Sequence, residues 1–265
     1  MRSQIALGVL LAAACARLGA AEYDCIIEAR QSIEIRSPVE AVIESVPVQR
    51  GDYVQKGQIL ATLESGPERA SVELARSRAE MQGELKAAQA RLELTRKKLV
   101  RAEELYKQNF ISVNTRDEAE ADHRLATEEL RRATENQRLA QLDLKRAEEI
   151  LALRTIRSPF SGVVVEVKQK PGEFATSNLK DPILRLAEID PLNVEVVLPV
   201  SQYGRIKPGA RAIVIPEQPV GGRHSASVKV VDRVIDAASG TFGVRLELPN
   251  RSRAIPAGAR CRVQF

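Results

Sequence analysis

Few side chains in this sequence suit covalent or metal chemistry. Three Cys stand at positions 15, 25 and 261, two His at 123 and 224, and two Met at 1 and 81. No two Cys form a C-x-x-C pair, and a zinc site needs Cys and His grouped at short spacings. His123 lies in a long helix-forming stretch and His224 in a Gly-rich turn; both read as surface or seam residues rather than ligands. The phosphate cradle G-x-x-x-x-G-K-[ST] is missing, and no paired carboxylates or Ser/His/Asp set stands out. The expectation is a non-enzymatic protein with no catalytic residues, no metal and no cofactor. Cys25 and Cys261 could pair in an oxidising compartment, tying the start of the mature chain to its last strand. Two separate small buried residues are the reading the sequence favours, since it does not supply the Cβ separation a disulfide requires.

That compartment is indicated by the amino terminus. Met1 and Arg2 precede an apolar run from Ile5 to Leu18, followed by Gly19, Ala20 and Ala21. A basic start, an apolar segment of this length and a small-residue exit read as a secretory signal peptide, 1–21. Ala12-Ala13-Ala14-Cys15 loosely resembles a lipobox, with Leu11 four residues before the Cys rather than three, so lipidation of Cys15 is the alternative. Nothing later approaches the roughly 20 apolar residues of a membrane span.

The chain has 265 residues, 44% hydrophobic and 28% charged, which fits about two folded domains and excludes wholesale disorder. Forty basic against 35 acidic residues make a mixed surface despite the net charge of +5. With four Tyr, five Phe and no Trp there is little to stack on bases or sugars, so nucleic acid is not an expected partner.

The strongest organisational signal is a repeat. Arg36-Ser37-Pro38 and Gly51-Asp52-Tyr53 return as Arg157-Ser158-Pro159 and Gly172-Glu173-Phe174, both 121 residues on. Ile59 to Leu63 is echoed by Ile183 to Leu186. Each copy reads as short strands around turn residues, and neither carries enough apolar surface to fold alone, so the two should share one core. Residues 66–154 separate them. This stretch is built from Ala, Leu, Glu, Lys and Arg, all strong helix formers, with Gly83 its one interruption after Pro67.

Ser65-Gly66-Pro67-Glu68 has the form of a capping box with Pro in the first turn. Apolar residues then step by sevens: Leu74, Met81 and Ala88 in one row, Leu85, Leu92, Leu99 and Tyr106 in another. After a break at Gln108 to Asn114, Ala119, Ala126, Ala133, Ala140 and Ala147 recur every seventh residue beside Leu130, Leu144 and Leu151. Thr115-Arg116-Asp117-Glu118 offers a second capping box, with Ser112 a competing cap. Sustained heptads with an Ala seam specify an antiparallel coiled-coil hairpin with arms of about 40 residues and about 60 Å. From about 189 onward, strands at Asn193 to Leu198, Arg211 to Ile215, Ala226 to Ile235, Phe242 to Leu248 and Cys261 to Phe265 imply a small antiparallel barrel or sandwich.

Taken together, Ser37 to Val42 through Gly51 to Gln58, Ile156 to Val164 through Pro171-Gly172-Glu173, the heptad hairpin between them, and Leu248-Pro249-Asn250 followed by Ile255 to Gly258 resemble the periplasmic adaptor (membrane fusion protein) family, which includes HlyD-like and RND-pump adaptors. The resemblance implies an elongated α+β fold: a split lipoyl-like β-sandwich with an inserted α-helical coiled-coil hairpin, then a small antiparallel β-barrel. Its divisions would be a signal peptide 1–21, an N-terminal strand and first lipoyl half motif 22–65, the hairpin 66–154, the second half motif 155–188 and the barrel 189–265.

It further implies an adaptor in the periplasm of a Gram-negative bacterium, held to the inner membrane through partners or a lipid on Cys15. It would link an RND or ABC inner-membrane transporter to a TolC-type outer-membrane channel, as a homo-oligomer of six whose packed hairpins form a tube. Arg101, Leu105 and Ser112 stand in the spacing R-x3-L-x6-S, which resembles the tip motif that adaptors use to dock on the channel. With one Met in the mature chain, the Met cluster of copper-efflux adaptors has no counterpart. The chain ends soon after the barrel, which would leave the further membrane-proximal domain of many relatives reduced or missing. Two alternatives remain: a biotinyl or lipoyl carrier domain, although the hairpin occupies the junction where a carrier presents its modified Lys, and a structural coiled-coil envelope protein.

Overall fold

The computed structural model describes residues 22–176 and 181–265; the segment 1–21 read as a signal peptide, with Cys15 in it, lies outside the described residues. In chain order the elements are β1 (Glu22–Ile35), β2 (Ala41–Ser45), β3 (Tyr53–Val54), β4 (Ile59–Leu63), α1 (Gly66–Glu80), α2 (Gly83–Lys107), α3 (Val113–Ala152), β5 (Thr155–Arg157), β6 (Gly162–Val167), β7 (Phe174–Ala175), β8 (Leu184–Pro199), β9 (Arg211–Pro216), β10 (His224–Val231), β11 (Thr241–Leu248) and β12 (Arg260–Gln264). The described residues divide into two compact units, one of residues 34–176 with 181–185 and one of residues 22–33 with 186–265. Among the described residues no helix is long and apolar enough to cross a membrane.

In the first unit the two repeat copies interleave. β2 of the first copy pairs with β7 of the second (Ala41↔Ala175, Val42↔Phe174), and β3 pairs with β6 in the equivalent way (Val54↔Gly162, Tyr53↔Val163). The bonds beside them are reciprocal. Gly51 N–H donates to Val164 C=O at 2.8 Å and Gly172 N–H to Ile43 C=O at 2.8 Å, while Val164 and Ile43 N–H donate to Asp52 and Glu173 C=O, each at 2.9 Å. Gly51 and Gly172 have φ of +94° and +89°, a left-handed turn conformation that Gly adopts without a Cβ clash. Buried Ser37 and Ser158 each donate their hydroxyl to the carbonyl two residues on, Val39 and Phe160. Ile43, Val54, Leu60, Leu63, Val164 and Ile183, drawn from both copies, are almost wholly buried. The fold is therefore a barrel-sandwich hybrid whose core belongs to neither half alone.

The inserted segment is a helical hairpin, but its first arm is not one helix. α1 and α2 are separated at Met81 and Gln82, and Val72 and Ala79, then Ala88, Thr95 and Ala102, are the buried positions. Leu74 and Met81, read from the sequence as a seam row, face outward. On α3 the Ala ladder does line the contact: Ala126, Ala133 and Ala147 are buried, Ala119 and Ala140 partly so. The capping expectations also shift. Ser65 is the N-cap of α1 but makes no side-chain cap bond; its Oγ accepts instead from Arg69 Nε at 2.9 Å. Glu68 is held by Arg154 at 2.6 Å, half-buried where the two arms leave the strands, so the reciprocal box is not formed.

The second unit is a closed barrel, in the order β1-β12-β9-β10-β11-β8 with β8 back on β1. Alternate residues point inward, as a half-buried strand requires: Leu192, Val194, Val196 and Leu198 of β8 with Phe242, Val244, Leu246 and Leu248 of β11. β10 ends at Val231, earlier than the alternation to Ile235 implied, because residues 232–240 turn back and bridge at Asp236↔Thr241. Cys25 and Cys261 sit opposite each other on β1 and β12 and are disulfide-bonded, Cα atoms 4.9 Å apart.

Asn250 closes the loop after β11. It is 2% exposed, donates Nδ2 to Ile189 and Ile255 C=O at 2.9 Å each, and accepts Ile255 N–H on Oδ1 at 3.2 Å. Asn250→Ala leaves these buried backbone groups unpaired and should cost the barrel about 3 kcal/mol, measured by urea unfolding, with the helical signal of the hairpin unchanged.

Candidate docking site at the hairpin tip

The residues that could meet a partner are gathered where α2 turns into α3, and local rules of helix termination place them. α2 ends in a Schellman motif. Asn109 is left-handed at φ +61°, its N–H donates to Tyr106 C=O, and Phe110 N–H reaches back to Leu105 C=O, both at 2.9 Å. Asn tolerates this conformation better than other side-chain-bearing residues. Such an ending fixes the residue two beyond the cap against the third residue before it, and here those are Phe110 and Leu105.

α3 is capped by Ser112 rather than Thr115. Ser112 is extended (φ −76°, ψ 160°) and its Oγ accepts Thr115 N–H at 3.3 Å and contacts Thr115 Oγ1 at 3.0 Å. The competing cap wins because four residues between Lys107 and Ser112 suffice to reverse the chain. A start at Thr115 would leave three more N–H groups without helix or cap.

The structure exposes Arg101 and Leu105, one turn apart on α2, with Leu105 at 42%. Ser112, third in the spacing, is committed to capping α3. Sequence reasoning missed the largest apolar feature, Phe110, which is 73% exposed, together with Val113 beside it. The signal was available: one of only five Phe falls between two capping residues, where no seam remains to bury it. Tyr106, assigned to the seam, is instead surface-lying, with the Arg116 guanidinium 5.1 Å from its ring centroid. That is cation–π distance. Asp117 hydrogen-bonds Arg116 and raises its pKa above the ordinary Arg value, first through that bond and then through charge. Arg116 is protonated with or without the shift, so this part of the tip keeps its charge across physiological pH.

The tip therefore exposes Leu105, Phe110 and Val113, with Arg101 as its exposed cation and Arg116 already engaged by Asp117 and Tyr106. Such a surface can anchor in a hydrophobic groove while a guanidinium group bonds carbonyls or carboxylates at its rim. Among the described residues no cluster of His, Cys, Asp or Glu could hold a metal ion. If Asn109 sets the presentation of Phe110, Asn109→Gly should leave the tip intact. Asn109→Val should cost about 1–2 kcal/mol and show as faster amide hydrogen exchange over residues 106–112.

Residues 31–187 match the model of the CzcB-like barrel-sandwich hybrid domain. The cation efflux system protein CzcB of Alcaligenes sp. strain CT14 is 30% identical over 175 residues, 65% of this chain and 31% of that protein. The macrolide export protein MacA of Yersinia pestis is 27% identical over 240 residues, 86% of this chain and 63% of that protein. The chain thus spans about a third to under two thirds of the length of these relatives. Among solved structures, MacA from Actinobacillus actinomycetemcomitans superposes with a TM-score of 0.73 at 20% identity, over 92% of this chain and 77% of that one. With the domain model matched over more than half of its residues, the chain belongs to the CzcB-like barrel-sandwich hybrid family of membrane fusion proteins.

Proposed function

We propose that this protein is a non-enzymatic adaptor subunit of a tripartite efflux or secretion system, linking an inner-membrane transporter of RND or ABC type to a TolC-type outer-membrane channel. The reading is carried by one observation: a helical hairpin, inserted at the junction of a split sandwich, ends in an exposed apolar and cationic tip. The relatives named for cation efflux and macrolide export support it, and so does the likeness of fold to a solved MacA.

In this reading the sandwich is lipoyl-like in descent and the hairpin works as a coiled-coil rod. Its domain divisions are those drawn from the sequence: 22–65, 66–154, 155–188 and 189–265. The protein works in the periplasm beside the inner membrane, through its partners or a lipid on Cys15. Hairpins of six copies pack side by side into a conduit, and the tip residues Arg101 and Leu105 engage the channel, with Ser112 holding the turn that presents them. A carrier role is disfavoured because β4 leads directly into α1 and α3 directly into β5. The short hairpin turn on which a carrier displays its modified Lys has no place there.

Replacing Arg101 or Leu105 with Asp tests the assignment. Losing a charge-assisted bond, or placing a charge in an apolar contact, should weaken capture of the channel roughly ten- to a hundredfold. Export and tip-to-channel cysteine crosslinking should fall together while thermal unfolding stays that of the parent. Unaltered export with both variants would remove the tip from the interface.

A further inference from the structure

The buried positions of the first arm step by seven except once. From Val72 to Ala79, and from Ala88 through Thr95 to Ala102, the step is seven; between Ala79 and Ala88 it is nine. α3 keeps sevens at the same level through Ala126, Ala133, Ala140 and Ala147. Two helices in antiparallel contact must advance equally from layer to layer. Nine residues of unbroken helix would also carry Ala88 about 180° away from the seam.

The chain resolves the mismatch by leaving the helix for two residues. Met81 is extended (φ −68°, ψ 108°), Gln82 sits at φ −106°, ψ 2°, and α2 restarts at Gly83 without a side-chain cap. α3 answers with polar residues. The row Leu130, Leu144 and Leu151 carries Gln137 at this level, and the Gln137 amide donates to the carbonyl of Ala79. That carbonyl, in the last turn of α1, has no donor within its own helix. Next to it, Asn136 Nδ2 donates to Glu84 Oε1 at 3.3 Å. Gln137 interrupts the Leu130, Leu144 and Leu151 part of the row, and a polar residue among apolar seam positions lowers stability but fixes register. Met81 does nothing to close the gap, being 69% exposed.

We infer that the Met81–Gln82 interruption is a hinge within the hairpin, latched by Gln137. About it the base segment α1 and the tip-bearing segment α2 change their mutual angle, while α3, continuous through this level, supplies the restoring stiffness. The two extra residues keep both halves of the seam in register on either side of the joint. None of this depends on what the tip binds.

The test uses the full chain with its disulfide intact and spin labels at Ala70→Cys and Ala90→Cys, both exposed on the first arm and about 30 Å apart along it. The parent should give a broad distance distribution. Deleting Met81 and Gln82 together should restore one continuous helix, so the distribution narrows, far-UV helicity rises and the helical melting midpoint increases. Deleting two residues from an ordinary helix would do the opposite, by turning half of it off its seam. Gln137→Ala should broaden the distribution further and speed tryptic cleavage after Arg78 severalfold. A deletion variant that is less helical or melts lower than the parent overturns the register argument. A narrow parent distribution that Gln137→Ala leaves unchanged overturns the hinge.

Discussion

Reciprocal backbone hydrogen bonding between the two sandwich halves is the constraint from which the rest of the molecule follows. Gly51 and Gly172 each give their N–H to the opposite half, at Val164 and Ile43, so neither half completes its pairing without the other. The halves lie 121 residues apart, yet the entropic cost of closing such a loop grows only with the logarithm of its length. Closure then dictates the insertion's geometry. β4 pairs with β5, with Thr62 opposite Thr155 and Leu63 N–H on Arg154 C=O at 2.8 Å. An insertion whose ends are neighbours must travel out and return. Two antiparallel helical arms are the simplest way for a Gly- and Pro-poor segment to do so, and Arg154 bonded to Glu68 ties the arms together at their roots.

Once the roots are fixed, the chemistry of helix ends sets the far end. The left-handed Asn109 and the extended Ser112 stop one helix and start the next within a few residues. The side chains between them are pushed outward because a two-helix rod has no third layer to receive them. The exposure of Phe110 is in this sense a consequence of cap geometry, and the same geometry explains why Ser112 is needed even if it never touches a partner.

What the sequence revealed and what it hid divide along physical lines. The repeat, the hairpin and the alternating barrel strands were legible because each rests on a strong periodicity or on Gly and Pro at fixed places. The face of α1 was not. In Leu74, Met81 and Ala88 the seven-residue step is real, but Val72 and Ala79 form an equally good row. In a stretch made almost wholly of helix formers, only contact with α3 decides which row is buried. The break at Met81 left one trace, Gly83, weak evidence in isolation. Ser65 and Glu68 satisfied a capping pattern, but Arg69 and Arg154 compete for their oxygens. At the tip, the family spacing drew attention to Arg101, Leu105 and Ser112, whereas Phe110 follows from a turn type that depends on the φ of its neighbour.

The composition of the seam carries a further consequence. Each buried Ala removes little apolar area from water, on the order of 1 kcal/mol. The ion pairs that cross between the arms, Arg76 with Glu148 and Arg91 with Glu129, are exposed and of the kind that contributes between nothing and about 1 kcal/mol. The hairpin is thus held by intrinsic helix propensity and by its clamped roots more than by its own core. Close approach of the arms through Ala leaves the larger side chains outside: Leu94, Leu125, Leu139 and Leu142 are all more than half exposed. Exposed Leu at these positions adds apolar area to the outer faces of the hairpin, the kind of surface that favours association where it becomes contiguous. In the proposed adaptor reading these Leu side chains are the ones that a neighbouring hairpin would cover, since the thin Ala seam leaves them outside.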